Sequence, residues 1–283
     1  MTCACGHHHH HHAPRPVPGG REFALDRPLV SVTGRLICGD MSQMLLALDL
    51  LAEHVELSRT EPGNLRFDLV QGEDPMIWEL NELYADETAL QSHRERLGGS
   101  RWGRESREIG RDLIRKDVMP RIRPETPQDR AALARLLTRA FDGPAEARLV
   151  EALRGADDLA LSLVAEAEGC IIGHVAMSPL RAAAPALALA PLAVHPAVRS
   201  RGIGQALVHA ALAAFQDHAV VVLGDPAYYG RFGFAPADLE SPYAGPHLLA
   251  LGPRIPAGSP VAHAPAFAAL APQAASLGRG PRF

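Results

Sequence analysis

Cysteine is scarce. Four cysteines in 283 residues are too few for a disulfide framework at this length. Cys38 and Cys170 sit in strand-like apolar surroundings, where a reduced thiol behaves as a small hydrophobe, and a reducing cytoplasm is the compartment this implies. Long apolar runs are missing too. The longest, around Ala182 to Val194, is broken by Pro185 and Pro191 and falls short of the roughly 18 residues that cross a bilayer, so no membrane segment is expected. A formal charge of −4, with no block of like charge, excludes a broad electrostatic attraction for nucleic acid. Any positive site must be local. No internal repeat is found.

What is present suggests two compact units, since the chain exceeds one typical domain of about 100–200 residues. The opening MTCACGHHHHHHAPRPVPGGREF offers Cys3, Cys5 and His7 to His12 as soft and imidazole ligands, but it reads as a purification tag, and residues 1–27 are set aside as tag and linker. From residue 28 to 118, Val30, Val32, Gly34 and Leu36 alternate as a strand, Met41 to Leu57 has helical spacing, and Leu65, Phe67, Leu69 then Met76, Trp78, Leu80 read as a hairpin. Asp86 can cap a helix through Leu97, and Asp112 to Val118 closes the unit. The order β-α-β-β-α-β predicts a ferredoxin-like fold, and the whole chain is α+β.

The second unit spans residues 120–252. Arg121 to Pro124 is read as an edge strand, Thr126-Pro127-Gln128-Asp129 as a capped helix start, and Ala145 to Leu153 as a second helix. Strands follow at Leu161 to Ala167 and Ile171 to Met177, a third leads to Val194, and a helix from Ile203 precedes a strand at Val220 to Leu223. Residues 253–283, rich in Pro, Ala and Gly, are expected to be irregular with a mobile end.

At the centre of this unit stands Arg199-Ser200-Arg201-Gly202-Ile203-Gly204. A helix start leaves backbone N–H groups without intrahelical partners and carries roughly half a positive charge, so phosphate is its natural guest. Gly202 and Gly204 remove Cβ atoms where a ligand would approach, and Arg199 and Arg201 add mobile charge. Neither a P-loop nor a dinucleotide fingerprint is satisfied. A glycine turn that merely packs a helix close to a strand remains the competing reading.

In its surroundings this hexapeptide resembles the [QR]-x-x-G-x-[GA] signature of the GNAT superfamily of acetyl-CoA-dependent N-acetyltransferases. FDGPAEARLVEALR, LVAEAEGCIIGHVAMSPL, LAPLAVHP and VVLGDPAYYGRFGF are similar to landmarks of its YhbS-type branch, over roughly Pro120 to Leu251. The resemblance implies that the N–H groups of Arg201, Gly202, Ile203 and Gly204, in a loop with Arg199, Ser200 and Gln205, hold the coenzyme A pyrophosphate. It also implies that Leu192, Ala193 and Val194 offer strand-edge groups to the pantetheine, as in β-augmentation.

Attack of an amine on a thioester develops an oxyanion, which a backbone N–H near Ala193 or Val194 would stabilise. The family position of the proton donor to the leaving thiolate matches Tyr229, while Tyr228 reads as packing and Asp225 before Pro226 as a helix cap. Glu146 lies on the helix that in this superfamily borders the acceptor groove, where it binds or deprotonates an amine or is simply solvated. His174 and His195 are weaker candidates, and no acid occupies Leu192 to Val194 to serve as base. The acceptor amine is not specified, and no metal is expected.

In the first unit, Glu82-Leu83-Tyr84-Ala85-Asp86-Glu87-Thr88-Ala89-Leu90-Gln91-Ser92-His93, preceded by Glu61-Pro62-Gly63-Asn64, resembles the antibiotic biosynthesis monooxygenase (ABM) family. Its members are dimeric α/β barrels in which the sheet faces a partner, so the resemblance implies a homodimer. His93 falls where a functional histidine usually sits, although a hydrogen-bonded structural histidine fits as well. Trp78 and Trp102 line a planar-ligand pocket or the core, and a haem-degrading set of Asn, Trp and His is not matched. Three readings follow: an acetyltransferase with a dimerising or ligand-sensing first unit, a bifunctional quinol-type oxygenase and acetyltransferase, or a non-catalytic coenzyme A-binding protein.

Overall fold

The computed structural model describes residues 20–270. The tag-like Cys and His residues and the end of the C-terminal segment lie outside them. Part of the stretch assigned to a linker is fold: β1 (Arg21–Glu22) pairs antiparallel with Arg121 and Ile122, and Leu25 is buried in the main core. An edge strand exposes unpaired N–H and C=O groups. Covering that edge is what β1 does, so the strand at Arg121 is not the edge that was expected.

The first unit runs β2 (Leu29–Ile37), α1 (Met41–Thr60), β3 (Asn64–Gln71), β4 (Ile77–Tyr84), α2 (Glu87–Gly99), α3 (Arg101–Glu105) and β5 (Gly110–Val118). Asp40 and Asp86 cap α1 and α2 through Gln43 N and Ala89 N at 2.9 and 3.1 Å. The antiparallel order β3-β4-β2-β5 is the ferredoxin-like arrangement, in one open sheet that does not close into a barrel within the chain. Alternation turns Val30, Val32 and Leu36 toward the helices and Leu29 toward the second unit, with whose core Leu29, Leu83 and Ala85 merge.

The second unit continues with β6 (Arg121–Pro124), a 3-10 turn at Pro127–Asp129, α4 (Arg130–Ala140), α5 (Ala145–Gly155), β7 (Leu161–Ala167), β8 (Cys170–Leu180), β9 (Ala186–Val194), α6 (Ile203–Ala214), β10 (Ala219–Leu223) and α7 (Pro226–Tyr229). Short strands β11 (Ala235–Pro236), β12 (Leu239–Glu240), β13 (Leu248–Leu251) and β14 (Ser259–Pro260) complete it. The main sheet is ordered β1-β6-β7-β8-β9-β10-β13-β11. Within it only β9 and β10 run parallel.

Helix α6 covers one face of this sheet and α4 and α5 the other. The irregular segment after Leu251 is packed rather than loose as far as Leu270: Ile255, Val261, Ala264 and Phe267 are buried with Leu149 and Leu153 of α5.

Candidate functional site

The site begins where a parallel strand pair parts. Strand β10 pairs with β9 only at Ala186, Leu187 and Ala188, while β8 accompanies β9 as far as Val194. From Leu189 onward one edge of β9 therefore faces no strand. His195 N donates to Ile172 O at 2.9 Å, and the register continues through Gly173 opposite Val194, His174 opposite Ala193 and Val175 opposite Leu192. Bonded and non-bonded pairs alternate in an antiparallel ladder. Ala193 is thus bonded to β8, and the N–H groups of Leu192 and Val194 point into the open wedge. Of the two N–H groups considered as oxyanion donors, that of Val194 faces the wedge and that of Ala193 is turned to β8.

The loop after β9 makes two left-handed turns, with Ser200 at φ 59° and Gly202 at φ 84°, and Gly202 becomes the N-cap of α6. No side-chain hydrogen bond caps this helix and no acid stands in its first turn, so the positive end of its dipole is not offset there. The glycines have different jobs. A Cβ on Gly202 would meet nothing within 4 Å, so the residue serves the backbone angle and leaves open space. A Cβ on Gly204 would lie 2.7 Å from the Tyr228 hydroxyl, so that glycine makes room for a tyrosine.

The arginines are not mobile, contrary to the expectation from sequence. Arg199 Nη2 donates to Ala140 O at 2.7 Å, closing the C-terminal end of α4. Arg201 donates through Nη1 and Nη2 to the carbonyls of Ala85 and Arg27, both in the segment and unit before β6. Ser200, Gly202 and Gln205 are exposed at the loop surface, and Ile203 is buried beneath it. Close approach of α6 to the sheet rests on Gly173, where a Cβ would come within 2.9 Å of Ile203 and Leu207. Nothing in the sequence singled that glycine out.

Across the wedge, Asp225 caps α7 by accepting from Ala227 N at 2.8 Å, as its place before Pro226 suggests. The Tyr229 ring packs so tightly on Gly224, at the end of β10, that a Cβ there would fall 2.3 Å from the ring. Burial, with Tyr228 beside it, drives the Tyr229 pKa far up and keeps the phenol protonated. Burial also pushes Tyr228 up to about 12, against the nearby Arg231 guanidinium, 4.7 Å above its ring. Tyr228, read from sequence as packing alone, is the tyrosine whose hydroxyl reaches Gly204 and the start of α6.

Glu146 is half-buried in the first turn of α5, and burial raises its pKa. His174 is fully buried with a pKa near 3, its Nε2 at 2.9 Å from Ser162 Oγ, which in turn donates to Glu125 beside Arg154. Burial takes His195 to about 4, helped by the Arg139 guanidinium, which lies 2.8 Å from Nε2 and makes that nitrogen an acceptor. Both histidines are neutral, and His174 Nδ1 is buried without a hydrogen-bond partner among the described residues.

In the first unit His93 is buried against Tyr84, Phe67 and His54, with ring centroids 5.3, 5.6 and 5.6 Å away. Its Nδ1 lies 3.0 Å from Glu61 Oε2, Arg96 Nε donates to Oε1 of the same carboxylate, and Arg96 Nη2 donates to Ser58 Oγ at 2.8 Å. Burial outweighs Glu61 and lowers the His93 pKa. Nearby, burial lifts Glu82 to about 7, opposed by the Tyr84 hydroxyl that donates to it at 3.0 Å. Glu61, Glu82, His54 and Arg96 were not legible as a cluster because they come from three separate elements, α1 with its C-cap, β4 and α2. Trp78 and Trp102 are core residues. Among the described residues no group of His, Cys, Asp and Glu could hold a metal, and no helix is long and apolar enough to cross a membrane.

The acetyltransferase (GNAT) family model matches residues 130–234, covering the wedge and the loop. The uncharacterized N-acetyltransferase YhbS of Escherichia coli (strain K12) is 44% identical over 120 residues, 40% of this chain and 72% of that protein. The chain belongs to the GNAT N-acetyltransferases. A crystal structure of Escherichia coli YhbS in complex with CoA is 32% identical and covers 56% of this chain and 96% of its own, with a TM-score of 0.50. A GNAT acetyltransferase from Brucella melitensis in complex with acetyl-CoA is 37% identical, covering 52% of this chain and 96% of its own, with a TM-score of 0.46. The antibiotic biosynthesis monooxygenase model matches residues 46–97, so this GNAT unit is fused to an ABM-type unit.

Proposed function

We propose that the protein transfers the acetyl group of acetyl-CoA to an amine, small or protein-borne, at the wedge between β9 and β10. One observation carries this reading: an unpaired strand edge at Leu189–Val194 leads directly to an uncapped helix start at Gly202. An extended amide-bearing ligand ending in a pyrophosphate needs that succession of donors. The amides of Arg201 to Gly204 take the pyrophosphate, Leu192 and Val194 the pantetheine amides, and Val194 N–H the thioester oxygen as charge develops on it.

Acetyl-CoA supplies a thioester whose C–S bond breaks as the amine nitrogen bonds to the acetyl carbon. The leaving thiolate takes a proton from a phenol of α7, for which Tyr229 is the family's position. Tyr228 shares that end of the wedge. Glu146, poorly solvated and near the α4–α5 turn, receives the amine proton or holds the ammonium beforehand. We place this activity in the cytoplasm, in a homodimer joined through the open part of the first unit's sheet, where Ile37, Val70 and Ile114 are exposed. A quinol-type oxygenase centred on His93 is the alternative for the first unit, and coenzyme A binding without turnover the alternative for the second.

Screening amines by release of thiol from acetyl-CoA tests the proposal. An amine-dependent rate is expected, falling about 10²-fold or more in Tyr229→Phe if that phenol is the general acid. Absence of any acetyl-CoA interaction would overturn the reading. If Tyr228→Phe loses the rate and Tyr229→Phe keeps it, the acid is the other tyrosine.

A further inference from the structure

Arg201 stands in the signature loop, yet its guanidinium belongs to the domain boundary. The left-handed residues Ser200 and Gly202 on either side turn its side chain out of the loop. Its two terminal nitrogens donate to Arg27 O and Ala85 O, and Nε is buried without a hydrogen-bond partner among the described residues. A planar guanidinium used as a fork in this way fixes orientation as well as charge. The amide that follows it is that of Gly202, the cap of α6.

The two acceptors are not incidental backbone. Ala85 precedes Asp86, the N-cap of α2, whose carboxylate also lies 3.5 Å from Arg27. Helix α2 carries His93 and Arg96, both held by Glu61 in the polar cluster of the ABM-type unit. Around the fork, Leu25, Leu29, Leu83 and Ala85 share one apolar core with Val194, Ile203 and Leu207. A packed and hydrogen-bonded path therefore joins the start of α6 to the start of α2.

We propose that Arg201 is a positioning residue for acetyl-CoA, through which the ABM-type unit sets the Gly202–Gly204 amides, so that the two units are energetically coupled. The proposal rests on acetyl-CoA binding at this loop. Linkage makes such coupling reciprocal: whatever orders the loop also orders the start of α2, and a change at α2 alters affinity at the loop. A lysine keeps the charge but loses the fork. A residue that only lent charge to a phosphate would tolerate that replacement.

Two measurements on the full chain test this. Hydrogen exchange with and without coenzyme A is expected to show slowed amides at residues 201–206 and also at residues 86–90 of α2. In steady-state kinetics Arg201→Lys is expected to raise the KM for acetyl-CoA about 10-fold with little change in kcat, and the α2 protection should vanish in the same variant. Protection confined to the loop, or a KM in Arg201→Lys equal to that of the parent, would overturn the coupling while leaving acetyl-CoA binding intact. No protection anywhere and no binding would overturn both. The exchange experiment on the parent protein does not depend on the variant folding.

Discussion

Gly204 matches a ligand-contact signature, yet what a side chain there would strike is Tyr228, at 2.7 Å. This makes a sign change testable. Gly204→Ala should destabilise the parent protein by about 1 kcal/mol through overpacking. In a Tyr228→Phe background the obstructing oxygen is absent, and the better helix propensity of alanine, worth up to about 1 kcal/mol, should make the same substitution neutral or stabilising. Denaturant unfolding of the four proteins measures this, and additive effects would show that the close approach carries no energy. The motif was legible because backbone conformation leaves a glycine signature; the partners of Arg199 and Arg201 were not, since carbonyls at Ala140, Ala85 and Arg27 have no side-chain identity to read.

Elements were legible where pattern and cap agree. Asp86 and Asp225 each announce a helix that begins at the next residue, and each side chain accepts from the first turn. Helix α6 differs: it has no such cap, and Gly202 enters it from the left-handed region. What periodicity could not show is the divergence of β9 from β10 after three paired positions, because a strand reads the same in sequence whether or not its edge is covered. On that unread edge the proposed site rests. Likewise β1 was lost to the linker because two residues carry no period, and only the exposed edge of β6 explains why they pair.

Across the whole molecule, fold class and two-unit organisation follow from the order of strands and helices, whereas the shared core between the units and the buried titratable groups do not. Those groups fix a pH dependence. His54, His174 and His195 are held near pH 3, 3 and 4 by burial, so each takes up a proton on unfolding at mildly acid pH. Their contribution to stability is present above about pH 6.5 and is lost as pH falls toward their folded values. Glu82, raised to about 7, acts in the opposite sense between about pH 4.5 and 7, where unfolding releases its proton. Proton uptake by these histidines, joined by His93 and His263 whose pKa values burial also lowers, outweighs the release from Glu82, so stability slopes downward below about pH 6.5. Chemical denaturation between pH 7 and 5 should show that slope, and Glu82→Gln should steepen it; a flat profile would place these histidines in contact with water.

On the proposed reading acetyl-CoA occupies the wedge and the amides of Gly202–Gly204. Calorimetric titration of acetyl-CoA into the parent protein and into Gly202→Val tests it most directly, since a β-branched residue resists φ near 84° and fills the open space above the helix start. The expected result is one site per chain in the parent and affinity at least 10-fold weaker in a folded Gly202→Val. Equal affinities in the two proteins, or no binding by the parent, would contradict it.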